Sequence, residues 1–132
     1  MKILFAIALG FSLLAQTSVS HATSTSCKGE EGLDRIKTIS WDDEALTAKV
    51  TDSLGRTHSG RVTLRRAHND GFKVNILVTY EKPYFGSDAT EYIVFPVSAV
   101  KYRVIAVNYL IRNGQRFLNT LANQDNATCA AL

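Results

Sequence analysis

One stretch near the C-terminal end of the chain, residues 101–121, constrains the fold more than any other. Two apolar runs, 102–111 and 117–121, flank the dipeptide Asn113-Gly114. An Asn-Gly pair accommodates the positive φ angles of a type I′ turn, whose twist matches that of two paired strands. The stretch therefore predicts a β-hairpin. Because the first of its strands is apolar on both faces, we expect that strand to be central and covered on both sides.

The N-terminal end indicates export. Met1-Lys2 precedes an apolar run over residues 3–15, and the small residues of Ser20-His21-Ala22 follow. This order is typical of a signal peptide spanning residues 1–22, with cleavage after Ala22. The alternative is an uncleaved membrane anchor, but the run is shorter than the ~20 residues that span a bilayer. We therefore expect a periplasmic or extracellular protein, not inserted in a membrane after cleavage, whose residues 23–132 form a single β domain.

The only two cysteines, Cys27 and Cys129, lie near the two ends of the mature chain. In an oxidising compartment two such thiols are expected to form a disulfide. A metal site is the rival interpretation, but two thiols without a nearby histidine would make an incomplete ligand set. We therefore predict one disulfide that ties the termini of the domain together, with no metal ion and no cofactor.

Several short segments with strand character precede the hairpin, and turn residues separate most of them. These segments are 35–41, 46–51, 61–65, 72–80 and 90–97. One long connection, residues 81–88, is interpreted as a loop. With the hairpin, about seven strands result, which favours an all-β antiparallel meander closing into a small barrel or a two-layer sandwich. The alternative is an α+β fold in which residues 32–39 or the tail after residue 121 forms a short helix.

Charge and motifs exclude several classes of function. The formal net charge is +3 and the pI is about 9.0, without the clustered basic face that is typical of nucleic-acid binding, so no nucleic-acid partner is expected. The sequence has no Gly-x-Ser-x-Gly elbow, no glycine-rich phosphate loop and no His-Glu-x-x-His helix. A catalytic group assembled from distant positions is left open.

Two histidines remain after cleavage, His58 and His68. If one extended strand joins them, they stand about 33 Å apart at roughly 3.3 Å per residue, too far to bind one metal ion. An enzyme would require one of them beside a carboxylate in a cleft. The acidic run 42–44 lacks the spaced ligands of an EF-hand loop and is interpreted as a solvated turn.

Arg61 and Arg65 are the first pair of candidate binding residues. Alternation within 61–65 predicts that they share an outer face, opposite Val62 and Leu64. Two guanidinium groups on one face could bind a partner rich in carboxylates or phosphates. The alternative is a charged edge strand that resists sheet-to-sheet aggregation.

Tyr84 and Phe85 are the second pair. They follow Pro83 in the predicted loop, and aromatic residues in surface loops are frequent contributors to binding interfaces. The alternative is that both side chains fold down as a lid over one end of the β core.

The leading functional hypothesis is a small non-enzymatic binding module, inhibitor-like, that recognises a protein partner through loops such as the one at Tyr84 and Phe85. One alternative is a carrier that encloses a small apolar ligand within the closed meander, where Phe72, Val74, Ile76 and Val78 would line the interior. A second alternative is a hydrolase-type enzyme. The pattern of residues supports a β scaffold more strongly than any one of these functions.

Overall fold

The computed structural model describes residues 24–30, 36–68 and 71–132, which form a closed antiparallel barrel of eight strands. Each strand pairs with the next along the chain, and the first pairs with the last to close the barrel. The described residues contain no helix. The predicted signal peptide and its cleavage site lie outside these residues. The strands are β1 Ser24–Gly29, β2 Thr38–Asp42, β3 Thr47–Thr51, β4 Thr57–His68, β5 Gly71–Tyr84, β6 Ser87–Pro96, β7 Lys101–Arg112 and β8 Gln115–Ala131.

The all-β prediction is confirmed, and the meander closes as a barrel rather than a sandwich. The strand that sequence patterning did not reveal is β1, because its polar sequence shows no apolar alternation and only Cys27 is deeply buried. The tail after residue 121, considered as a loop or helix, instead continues β8. Polar residues are tolerated in both strands because main-chain pairing, rather than side-chain burial, holds them in the sheet.

The predicted hairpin is confirmed as the connection between β7 and β8. Asn113 and Gly114 have φ angles of 54° and 77°, and Arg112 pairs directly with Gln115, as in a two-residue type I′ turn. The inner face of β7 carries the buried Val104. The outer face is less covered than predicted, because Val107 is buried but its neighbours on that face are half-buried.

The prediction of a long loop over residues 81–88 is wrong. Strand β5 continues to Tyr84 and β6 begins at Ser87, so that only Phe85 and Gly86 form the turn. The register passes from Thr79 opposite Ala89 to Tyr84 opposite Ser87. Four residues, 80–83, therefore lie opposite the single residue 88 in a large irregular bulge. A bulge tolerates Pro83, which has no N–H to donate. The polar and proline residues that resemble a loop therefore belong to an irregular strand.

The core fills the barrel between its strands. The largest fully buried side chains are Ile39, Ile76, Val50, Val74, Val78, Val94, Val104 and Cys27. The predicted disulfide is confirmed, since Cys27 of β1 bonds Cys129 of β8 directly across the pair of strands that closes the barrel. The covalent bond thus lies inside the core and joins the first strand to the last.

Candidate functional site at the mouth of the barrel

A cleft of about 410 Å³ opens at one end of the barrel, which we call the mouth. The turn between β3 and β4 borders it on one side, through residues 52–54, and the turn between β5 and β6 borders it on another. Its wall is formed by side chains of four consecutive strands, β5 to β8. These wall residues are Tyr80, Thr90, Tyr92, Ala106, Asn108 and Thr120.

Four of the wall residues form a chain of hydrogen bonds, which we call the polar ladder: Tyr80, Thr90, Asn108 and Thr120. Strand register creates it, because Asn108 stands opposite Thr90 on one side and Thr120 on the other. The Thr90 hydroxyl donates to Asn108 Oδ1 over 2.7 Å, and Asn108 Nδ2 donates to Thr120 Oγ1 over 2.9 Å. Tyr80 Oη and Thr90 Oγ1 are 2.8 Å apart. Since the single hydroxyl hydrogen of Thr90 is already used, Tyr80 is the donor in that bond.

The deep part of the cleft is polar as well. Thr90 is 3% exposed and Tyr92 is 6% exposed, yet both line the cleft. Burial raises the pKa of Tyr92, and neighbouring Tyr80 raises it further, so the phenol stays protonated and uncharged. The barrel interior near the mouth therefore presents hydroxyl and amide groups, whereas the rest of the interior is packed mainly with aliphatic side chains.

Asp52 organises the turn at the rim. Its Oδ1 accepts hydrogen bonds from the backbone amides of Leu54 and Arg56, at 3.0 and 2.9 Å. Its Oδ2 accepts one from the Tyr84 hydroxyl and lies 3.1 Å from His58 Nε2, which must donate because a carboxylate only accepts. Burial by itself would raise the pKa of Asp52, but the hydrogen bonds from Tyr84, His58 and the two amides lower it below its ordinary value. The carboxylate is therefore ionised and fully engaged.

The two predicted aromatic residues have different surroundings. Tyr84 folds onto the barrel end, with its ring centroid 4.7 Å from that of His58 and 5.1 Å from that of Tyr80. Burial, together with Asp52, raises the pKa of its hydroxyl. Phe85 contacts Tyr84 at 4.7 Å but remains 77% exposed. The lid alternative thus describes Tyr84, whereas Phe85 stands at the solvent-facing rim.

Phe85 also has an unusual backbone conformation. Its φ is 48°, a left-handed conformation that bulky residues rarely adopt, and Gly86 follows at 79°. Asn119 of β8 donates to the Gly86 carbonyl oxygen over 3.2 Å and to Ser87 Oγ over 3.0 Å, which ties this turn to the far side of the cleft. Strained residues of this kind cluster at binding and switch sites.

The histidines lie at opposite ends of β4, as predicted. His68 contacts the ring of Phe95, with centroids 5.9 Å apart, while His58 meets the distance condition for an enzyme base through Asp52. However, the His58 ring also packs against Tyr80 at 5.3 Å, and in the described part of the chain no serine hydroxyl hydrogen-bonds it. Within residues 24–30, 36–68 and 71–132 there is no group of three metal-binding side chains. His58 thus donates to Asp52 and packs between the rings of Tyr80 and Tyr84.

The prediction that Arg61 and Arg65 share one face is wrong. A bulge between Val62 and Leu64 reverses the alternation, so that Arg61 lies opposite Leu77 whereas Arg65 lies opposite the core residue Val74. Leu64, predicted to point inward, is opposite Asn75 on the outer face.

Arg65 is engaged at the end of the barrel opposite the mouth. Its Nε lies 2.9 Å from Asp43 Oδ1, and its guanidinium carbon lies 3.5 Å from the centroid of the Phe72 ring. The two arginines therefore do not form one anion-binding surface, and neither lines the mouth.

Sequence reasoning missed Asp52 and the polar ladder. A signal for the ladder is present, because Asn108 continues the alternation of Val104 and Ala106, and Thr90 precedes Tyr92 and Val94 on one face. A polar residue at a core-facing position requires a hydrogen-bonding partner, which points either to an internal network or to a ligand. For Asp52 the sequence offers only a turn-like context.

Comparisons of the chain with models of known protein families, with curated proteins and with solved structures gave no match. In the described part of the chain, no helix has the length and apolar character needed to cross a membrane.

Proposed function

We propose that the protein is a non-enzymatic binding module that holds a small molecule in the mouth of its barrel. The observation that carries the proposal is the polar ladder, which lines an open cleft of about 410 Å³. The volume lies within the ~300–1,000 Å³ range of ligand pockets. An eight-stranded barrel has an interior that either is filled by side chains or holds one small ligand.

The rim supports the same proposal. Phe85 and Leu54 line the cleft and are 77% and 60% exposed, so that apolar surface is available beside the polar wall. Most of the Phe85 ring is exposed to water, so the fold gains little hydrophobic stabilisation from it. A molecule bound in the cleft would cover this apolar surface. The proposal thus keeps the hypothesis of a small-ligand carrier that the sequence suggested. The lining of the cleft is more polar than that hypothesis predicted.

A protein partner is the second candidate function, and the exposure of Phe85 favours it. A single aromatic side chain at a rim is a frequent anchor of protein interfaces. We also propose that the protein acts in a periplasmic or extracellular compartment. The apolar run near Met1 and the disulfide between Cys27 and Cys129 support this location.

The small-molecule proposal is tested by titrating the purified, oxidised, ¹⁵N-labelled protein with a library of soluble fragments and recording amide chemical shifts. We expect shifts to concentrate at residues 80, 90, 108 and 120, with none at His68 and Phe95, which lie at the other end of the barrel. Phe85→Ala should weaken binding of the fragments found. Phe72→Ala, which shortens a half-exposed phenylalanine at the far end, is the matched control. Absence of shifts at the mouth with every fragment at millimolar concentration would contradict the proposal.

The protein-partner candidate predicts a different pattern. A partner captured from the native compartment by the wild-type protein should be lost with Phe85→Ala and retained with Thr120→Val, because the ladder would not contact it. Capture that is equal for wild type and Phe85→Ala would argue against a partner anchored on this residue.

A further inference from the structure

We infer that the ligand of the mouth is an uncharged amphiphile that binds with its polar head group inward and its apolar part against the rim. This inference rests on the proposed function and goes beyond it by specifying the chemical class and the orientation of the ligand. It depends on three features of the cleft: the order of polar and apolar surface, the absence of a free charge, and the hydrogen-bonding groups left over in the ladder.

The cleft is polar at its deep end and apolar at its rim, and this order favours one orientation of a bound molecule. The deep residues Thr90 and Tyr92 are nearly inaccessible and polar, whereas Leu54 and Phe85 at the rim are exposed and apolar. A wholly apolar molecule would remove water from the ladder without replacing its hydrogen bonds, which is costly. A wholly polar molecule would leave the rim uncovered. A molecule with a polar head and an apolar tail satisfies both parts when the head enters first.

The residues that line the cleft offer no counter-charge to a charged head group. Among the described residues, none of the lining side chains is cationic, although the guanidinium of Arg56 lies beside the rim, 5.6 Å from the centroid of the Tyr84 ring. The one carboxylate, Asp52, already receives hydrogen bonds from two backbone amides, His58 and Tyr84. An anionic head in the deep part of the cleft would therefore lose its hydration without a cationic lining side chain to pair with, and a cationic head would have to displace donors from Asp52. Unpaired buried charges are strongly unfavourable, so the cleft favours an uncharged head.

The ladder leaves a hydrogen-bond donor for such a head group. Thr120 Oγ1 accepts from Asn108 Nδ2, and its own hydroxyl hydrogen is not used in any hydrogen bond within the described residues. A second hydrogen on the same Asn108 nitrogen is also left over, since an amide has two. Thr120 lies toward the exposed end of the ladder, within reach of solvent. Carbonyl and hydroxyl oxygens, as in esters, amides and polyols, are the complementary acceptors.

The test compares four probes that share either the head or the tail: 1-monooctanoylglycerol, octanoate, octylammonium and glycerol. Each is titrated below its critical micelle concentration into the purified, oxidised protein, with affinity from calorimetry and location from amide shifts. We expect 1-monooctanoylglycerol to bind in the mouth at least about tenfold more tightly than either charged probe. Glycerol, which lacks the tail, should bind at least about tenfold more weakly than 1-monooctanoylglycerol. These factors follow from the costs of an unpaired charge and of lost apolar contact.

Two threonine variants on β8 provide the matched comparison. Thr120→Val keeps the shape of the side chain and removes its hydroxyl, which is both the free donor and the acceptor of the Asn108 hydrogen bond. It should reduce affinity for 1-monooctanoylglycerol by roughly 3- to 10-fold, as expected for one hydrogen bond to the ligand. Thr128→Val makes the same change where the threonine contacts Lys101, away from the cleft, and should leave affinity unchanged. A melting temperature of each variant close to that of the wild type would show that the fold is intact.

The outcomes are distinguishable from those of the fragment titration. Charged probes that bind in the mouth as tightly as 1-monooctanoylglycerol would overturn the inference while leaving the proposed function standing. Failure of all four probes, or equal binding to Thr120→Val and wild type, would also overturn it. The proposed function itself fails only when the fragment library produces no shifts at the mouth.

Discussion

At the scale of single residues, Asp52 connects two turns that are distant in sequence. Its carboxylate holds the amides of Leu54 and Arg56 in the β3–β4 turn, and it also receives the hydroxyl of Tyr84 from the end of β5. An ionised acceptor bound by backbone amides is stronger than a neutral one, because the charge contributes to each bond. Asp52 therefore fixes the position of Tyr84 at the mouth, and both of its carboxylate oxygens are already used in hydrogen bonds within the protein.

Replacing Asp52 with alanine is expected to destabilise the protein by about 2–3 kcal/mol, because four partly buried donors lose a charged acceptor at once. Urea unfolding at neutral pH measures the change. Glu44→Ala, which removes an exposed carboxylate from the β2–β3 turn, is the control and should change the free energy of unfolding by less than about 0.5 kcal/mol. A similar, small effect for both variants would show that the hydrogen bonds to Asp52 contribute little.

The pH dependence of stability follows from the same carboxylate. Because the pKa of Asp52 in the folded protein is lowered from its ordinary value of 3.8, the folded state favours the ionised form. Its stabilising contribution is complete above the ordinary value and is lost as the pH falls through the lower folded pKa. We expect Asp52→Asn to flatten the decrease in unfolding free energy below about pH 4. The remaining decrease comes from Asp42 and Asp88, whose pKa values backbone amides also lower. Wild-type and variant curves that run parallel from pH 5 to pH 2.5 would contradict the assignment.

At the scale of elements, tight hairpins set the register of the long strands. Gly114 has a φ of 77°, and a Cβ atom added at this position would meet no other atom within 4 Å. We predict that Gly114→Val destabilises the protein by about 1–2 kcal/mol through backbone strain alone. Thermal unfolding measures it, with Gln115→Val, one residue along in an extended strand, as the control. An unchanged melting temperature for Gly114→Val would show that the turn can relax at no cost.

The contact between β4 and β5 depends on a different glycine. A Cβ atom at Gly60 would lie 2.9 Å from the Leu77 carbonyl oxygen and 3.0 Å from Val78 Cγ2. Because the first of these atoms belongs to the backbone of a paired strand, it cannot move away cheaply. We expect Gly60→Ala to cost about 1–3 kcal/mol, measured by urea unfolding, and Ser59→Ala next to it to have a much smaller effect. Equal stabilities would mean that the two strands can separate slightly without loss.

Strand bulges mark the limit of what alternation in the sequence could predict. The hairpin at Asn113 and the strand from residue 72 follow from regular patterns, and both are confirmed. In β4, however, one extra residue lies between Val62 and Leu64, so that each later side chain of the strand faces the opposite side of the sheet from the one that alternation predicts. Residue types alone do not reveal such an insertion. The mistaken placement of Arg65 has this cause.

At the scale of the whole molecule, the barrel is closed twice, by pairing of β1 with β8 and by the disulfide between Cys27 and Cys129. The bond spans 102 residues of sequence. We predict that the double variant Cys27→Ser/Cys129→Ser loses about 2–5 kcal/mol of stability. Thermal unfolding of wild type with and without reductant should reproduce the difference, and the double variant should not respond to reductant. Coincident melting curves of oxidised wild type and the double variant would show that the pairing of β1 with β8 keeps the barrel closed without the disulfide.

The fold class, the disulfide and one hairpin could be predicted because each depends on residues close in sequence or on a unique pair. The candidate site could be predicted only at Tyr84 and Phe85. Its other parts, such as the contact of Thr90 with Asn108, arise where neighbouring strands meet in register. Such contacts depend on the register between neighbouring strands, which no local sequence pattern encodes.

The pairing of the first strand with the last also has a kinetic consequence. Every strand can pair with its neighbour in sequence, but β1 gains its second partner only when Cys129 and its flanking residues reach it from the other end of the chain. Contacts of such long sequence separation form slowly and leave unpaired strand edges exposed while they do. Until β8 pairs with β1 the chain is therefore an open sheet with two unpaired edges, and only this last pairing converts the sheet into a barrel.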